Sequence, residues 1–129
     1  MNNTAILLIG HGSRVAEAND ALHAIAEMVR EQNPETVVEV AFREMHAPNI
    51  QLGIDRCVDQ GARRILLYPY FLFSGAHVLE DLPEEIDNAR QRHEGLQMVL
   101  GEPLGVHPKL AEIVCERVDE KLKQAGWSA

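Results

Sequence analysis

A three-layer α/β/α fold around a four-stranded parallel sheet of order 2-1-3-4 is what this chain predicts, and three observations predict it. Four short apolar, β-prone segments alternate with four stretches of helical periodicity. The first segment is apolar almost without a break, as a strand covered on both faces must be. No repeat, linker or low-complexity tract interrupts the alternation. Right-handed crossovers then leave few windings, and the commonest sets the first strand between the second and the third. At 129 residues the chain, 1–129, is expected to form one domain with a single core.

The elements follow in order. Strand one is TAILLIG, Thr4 to Gly10, and should be central. Val15, Ala18, Leu22, Ile25 and Val29 then recur at steps of three and four, marking the inner face of a helix that stops before Pro34. Strand two is TVVEVAF, Thr36 to Phe42, and the helix after Pro48 carries Ile50, Ile54, Cys57 and Val58 on one side, with Gly61 placed to end it. RILLY, Arg64 to Tyr68, is strand three. After the segment PYFLFSGAHVLE, Asp81 is placed to cap a helix with Pro83 in its first turn and Glu84 three residues on. Strand four is LQMVL, Leu96 to Leu100. The last helix presents Leu110, Ile113, Val114, Val118 and Leu122, and Gly126 ends it.

Composition narrows the function. With 46% apolar and 25% charged residues and no apolar run of about 20, the chain reads as soluble, with no membrane partner. Its start, MNNTAILLIGHGS, has no basic leader, so the cytoplasm is the expected compartment. A formal charge of -8 with scattered Lys and Arg argues against a nucleic-acid partner and favours the approach of cations. Cys57 and Cys115 each fall in a helical apolar pattern, which predicts two buried small hydrophobes rather than a disulfide or metal clip.

In sheets of this winding, ligands sit beyond the carboxyl ends of the strands where the winding reverses, here between strands one and three. His11, in GHGSR, ends strand one, and His77, in FLFSGAH, follows strand three, so one crevice is expected to hold both. The plainer reading of GHGS is an anion cradle at a helix start, with Ser13 contributing its hydroxyl. The plainer reading of His77 is a structural partner for Asp81. Phe71, Leu72 and Phe73 form an apolar wall suited to a flat ligand, and Ser74 and Gly75 complete that loop. Glu44, in FREMHAPNI, opens on the same rim, so His11, His77 and Glu44 make a loose set of donors for a divalent metal in transit. Arg14 and Arg43 are the cations nearest these motifs and the candidates for holding an anionic ligand. His46 and His107 are weaker candidates on the rim; His23 and His93 fall on helix surfaces.

Together LLIGHGSR, AFREMHAPNI, PYFLFSGAHVLEDLP and EPLGVHPKL, in that order and spanning about Ala5 to Leu122, resemble the CbiX/SirB family of sirohydrochlorin chelatases. The resemblance implies a chelatase-like fold with flavodoxin-like winding. It also implies a class II chelatase that needs no nucleotide and has no permanently bound cofactor. The substrates it implies are a sirohydrochlorin-type tetrapyrrole and a divalent metal: Co2+, or alternatively Fe2+ or Ni2+. It assigns metal binding and removal of the pyrrole protons to His11 and His77, matches Glu44 to the acid of the second block, and implies that a short chain works as a homodimer. The sequence departs from the family pattern at Arg43 and His46, where smaller or less charged residues are expected.

Two other classes of protein share part of this pattern. A phosphoryl-transfer enzyme with a histidine nucleophile wants an arginine before that histidine, and here Gly10 precedes His11. A non-catalytic metal or tetrapyrrole carrier would bind tightly without turnover.

Overall fold

The computed structural model describes residues 3–127. The order is β1 (Thr4–Gly10), α1 (Ala16–Gln32), β2 (Val37–Phe42), α2 (Ile50–Asp59), β3 (Arg64–Pro69), α3 (Ala76–Arg92), β4 (Gln97–Leu100) and α4 (Pro108–Ala125). All strand pairs are parallel and the sheet order is β2-β1-β3-β4, as expected. β1 is the central strand: Ala5, Leu7 and Ile9 are wholly buried on one face and Leu8 on the other.

The two faces have separate cores. Helices α2 and α3 cover one face, where Leu7, Ile9, Ile54, Ile65, Leu67, Val78 and Leu82 meet. α1 covers the other, packing Leu22 and Ala26 on Leu8, Val38, Val40 and Phe42. α2 lies so close to the sheet that a Cβ on Gly53 would stand 2.8 Å from the Ala41 side chain and 2.9 Å from Leu7, so only glycine fits there.

Three expectations are corrected and one holds. α3 begins at Ala76 rather than Asp81, and Pro83 lies inside it. The capping motif DLPEE suggested the later start, but Val78, Leu82, Ile86 and Ala89 form one buried stripe, and burying Val78 extends the helix back over His77. Val15 is not on the inner face of α1; it is the N-cap and 59% exposed, while Asn19 is buried in the helix's first turns. Cys57 is buried, and loss of water with the nearby Glu39 carboxylate pushes its thiol up to about 12. Cys115, however, is exposed, because α4 buries none of its residues against the rest of the chain.

On the α2/α3 layer, Asp55 joins the two helices. Arg92 donates to both of its carboxylate oxygens at 2.6 and 2.7 Å, and His93 Nε2 stands 2.7 Å from one of them. Burial alone would raise the Asp55 pKa, but the hydrogen bonds from His93 and Arg92 outweigh it and hold the carboxyl below its usual range. A depressed carboxylate stabilises the fold above its unfolded value and loses that contribution as pH falls through the folded one. Asp55→Asn should therefore cost about 1 kcal/mol at pH 7, discounted for the partly exposed Arg92, or a few degrees in Tm. Thermal melts of both proteins should converge as the pH is lowered below about 4.

Candidate active site

The carboxyl edge of the sheet is where the four sequence blocks meet. β1 ends at Gly10, and the ladder continues past it: the Arg43 N–H donates to the Gly10 carbonyl at 2.8 Å and the Glu44 N–H to the His11 carbonyl at 3.1 Å. On the other side the Tyr70 N–H donates to the Ile9 carbonyl at 2.8 Å. Gly12 then turns with φ +90, and a Cβ there would fall 1.6 Å from the Glu44 carbonyl oxygen. The backbones after β1 and β2 are thus in direct contact, which only glycine permits.

His11 is exposed, and its ring stacks on Phe71 with centroids 3.9 Å apart and planes 25° from parallel. Phe71 is buried, so the imidazole rests on a fixed platform from the loop after β3. Leu72 and Phe73 are 55% and 73% exposed, the apolar wall expected of that loop. Ser74 leads to Gly75, the N-cap of α3, and His77 is the second residue of that helix, exposed at the same edge. Among the described residues neither His11 nor His77 has a side-chain hydrogen bond, so their ring nitrogens are uncommitted.

The surrounding polar groups are engaged. Arg43 Nε and Nη2 donate to one Asp81 oxygen at 2.9 and 2.8 Å, tying the loop after β2 to α3 one turn beyond His77. Asp81 therefore partners Arg43 and not His77. Glu44 is exposed, 3.8 Å from Arg43 Nη1. Ser13 is drawn into its own loop: its Oγ accepts from Val15 N–H, and the buried Asn19 amide closes a pair of bonds with the Ser13 backbone at 2.9 and 2.7 Å. Asn19 was missed in the sequence because a buried amide on an apolar face looks like a break in the stripe; its six-residue spacing from Ser13 was the available signal. Arg14 is exposed on that loop.

His46 packs edge-on against Phe42 at 4.8 Å. His107 caps α4, its Nδ1 accepting the Lys109 N–H at 3.0 Å. The fourth block also braces the third, since the Leu104 and Gly105 N–H groups donate to the carbonyls of Phe71 and Leu72. A cleft of about 220 Å³ opens beside His11, between the start of α1, Phe42 and Tyr70. Among the described residues no three His, Cys, Asp or Glu side chains stand close enough to hold a metal. His11, His77 and Glu44 share an edge without forming a closed shell.

The chain matches the CbiX family model over residues 5–121. It is 37% identical over 116 residues to a sirohydrochlorin ferrochelatase of Priestia megaterium, covering 90% of this chain and 44% of that protein. It is also 34% identical to a sirohydrochlorin cobaltochelatase of the same organism, covering 94% of this chain and 39% of that one. The chain thus spans less than half the length of these two relatives. A sirohydrochlorin cobaltochelatase of Methanopyrus kandleri is 32% identical, with 92% of this chain and 96% of that one covered. The crystal structure of the sirohydrochlorin chelatase SirB from Bacillus subtilis subspecies spizizenii, in complex with cobalt, superposes with a TM-score of 0.83 at 35% identity, over 91% of this chain and 50% of that one. Fold, edge geometry and sequence agree, and the chain belongs to the CbiX family.

Proposed function

We propose that this protein is a sirohydrochlorin cobaltochelatase, inserting Co2+ into the tetrapyrrole without nucleotide, in the cytoplasm and as a homodimer. The observation that carries the proposal is the pair of exposed imidazoles with uncommitted nitrogens, His11 and His77, at one edge beside an apolar wall. Metallation needs two events at that edge: a divalent ion gives up water, and two pyrrole N–H protons leave. A neutral imidazole nitrogen can ligate the first or accept the second. His11, held flat on Phe71, and His77, at the start of a helix, are assigned both tasks.

The remaining residues are assigned support. Leu72 and Phe73 cover a face of the macrocycle, with Ser74 and Gly75 lining its edge. Glu44 offers a carboxylate to the metal or the departing proton. Arg43 and Arg14 meet carboxylates of the tetrapyrrole, although an incoming carboxylate has to compete with Asp81 for Arg43. Ser13 holds the His11 loop in shape. No permanent cofactor is invoked, since the metal is substrate.

Cobalt is preferred because a relative of matching length, from Methanopyrus kandleri, carries a cobaltochelatase name. The alternative is iron, which is supported by the ferrochelatase name of the longer relative. Parallel assays with Co2+, Fe2+ and Ni2+, read from the visible spectrum of the tetrapyrrole, should show the fastest rate with cobalt.

In that assay His11→Ala and His77→Ala should each lower the rate by about 100-fold or more, the usual weight of a proton-transfer group, with unchanged circular dichroism. Full activity in both variants removes the assignment. Asp81→Asn loosens Arg43 without touching either histidine, and should cost less than about tenfold in kcat/KM, because the pair is partly exposed.

A further inference from the structure

Among the described residues Asn19 is the one polar or charged residue that is buried, at 2% exposure. It sits on α1 beside Leu22 and Ala26, the residues that carry the helix into its core. A carboxamide buried there costs free energy that an aliphatic side chain would not, unless its polar atoms find partners. Both do, and both partners belong to one residue. Oδ1 accepts the Ser13 N–H at 2.9 Å, and Nδ2 donates to the Ser13 carbonyl at 2.7 Å. A single bond would leave the backbone free to swing about it, whereas two bonds fix its direction as well as its distance.

Ser13 stands two residues beyond His11, and the stretch between them is anchored from the other side. The Glu44 N–H donates to the His11 carbonyl at 3.1 Å, and Gly12 turns at φ +90 directly against the Glu44 carbonyl oxygen. The residue between the two anchors is thus a glycine, the type with the widest backbone freedom. The other ties at the start of α1 are local: Val15, its N-cap, offers no side-chain bond, and the Ser13 Oγ accepts from the Val15 N–H. Asn19 is what joins this loop to the buried face of the helix. The imidazole has no side-chain hydrogen bond to orient it among the described residues. Its direction comes from the backbone at Gly10–Ser13 and from the stack on Phe71 at 3.9 Å.

We propose that Asn19 is a positioning residue for His11: by clamping the Ser13 backbone it holds Gly12 in one conformation and the imidazole in one direction. The role rests on the assignment of His11 to the metal, made above. It accounts for an amide at a position where packing alone calls for an apolar side chain.

A double-mutant cycle read by Co2+ binding, titrated through the visible absorption of the ion, tests this. Asn19→Leu keeps a branched side chain and removes both bonds. It should weaken Co2+ binding about tenfold, the lower end of the effect of losing a group that orients a metal ligand, and lower kcat with little change in KM for the tetrapyrrole. In a His11→Ala background the same substitution should change neither, because no imidazole remains to be misdirected. Asn19→Asp supplies a second measurement should the leucine variant fail to fold. Ionised, the introduced carboxyl repels the Ser13 carbonyl; protonated, it accepts the N–H and donates to the carbonyl as the amide does. The ratio of its Co2+ affinity to that of the unsubstituted protein should rise as the pH is lowered from about 8 to about 6, since His11 is common to both and cancels. Unchanged Co2+ affinity in Asn19→Leu, equal weakening with and without His11, or a flat ratio for Asn19→Asp overturns the positioning role and leaves the assignment of His11 standing. Undiminished Co2+ binding in His11→Ala alone overturns that assignment, and the role of Asn19 with it.

Discussion

The position of β1 is the constraint on which the rest depends. It is hydrogen-bonded along both edges, to β2 and β3, and its side chains are buried on both faces. A strand so enclosed presents chemistry only at its ends. The carboxyl end is where the ladder itself holds the next residues in register, through Gly10, His11 and Ile9 carbonyls bonded to the neighbouring strands' continuations. His11 is consequently placed by the sheet and not by loop packing. Its accuracy of position derives from a strand that is bonded along both edges and buried on both faces.

Around it there is a division of labour among polar groups. Those that shape the edge are satisfied internally: Asn19 with the Ser13 backbone, Arg43 with Asp81, His107 with its own helix start. The two imidazoles assigned to the ligand, His11 and His77, are exposed and, among the described residues, without a side-chain hydrogen bond. The Arg43–Asp81 pair connects the loop after β2 to α3, so the helix bearing His77 is referenced to the same frame as His11. Phe71 does this a second time, lying under the His11 ring while its carbonyl accepts from Leu104. Four loops and the first turns of α3 are locked together by contacts that leave the ring nitrogens of both imidazoles free.

Much of this was legible in the sequence where one local rule acted alone. The unbroken apolar run of β1 announced a central strand, and the alternation of periods led to the observed sheet order. The positions of His11 and His77 at one edge follow from that order. Legibility failed where two rules competed. At α3 a good capping sequence at Asp81 competed with an apolar stripe reaching back to Val78, and burial prevailed over capping. At α1 the β-branched Val15 fits the helical period but became the N-cap, because the Asn19–Ser13 bonds fold the loop inward there. Cys115 has the period of a core residue, and period reports amphipathicity without saying what covers the apolar side. The pairing of Arg43 with Asp81 spans 38 positions, beyond any local pattern.

The uncovered side of α4 also bears on where the chain opens first. A helix that buries none of its residues adds little to the cooperative unit formed by the sheet and the other three helices. Its turns can therefore come apart at a free energy well below that of global unfolding. The segment leading into it is held differently, because the Leu104 and Gly105 N–H groups are bonded to the carbonyls of Phe71 and Leu72. Opening of the helix consequently stops short of the loop on which His11 rests.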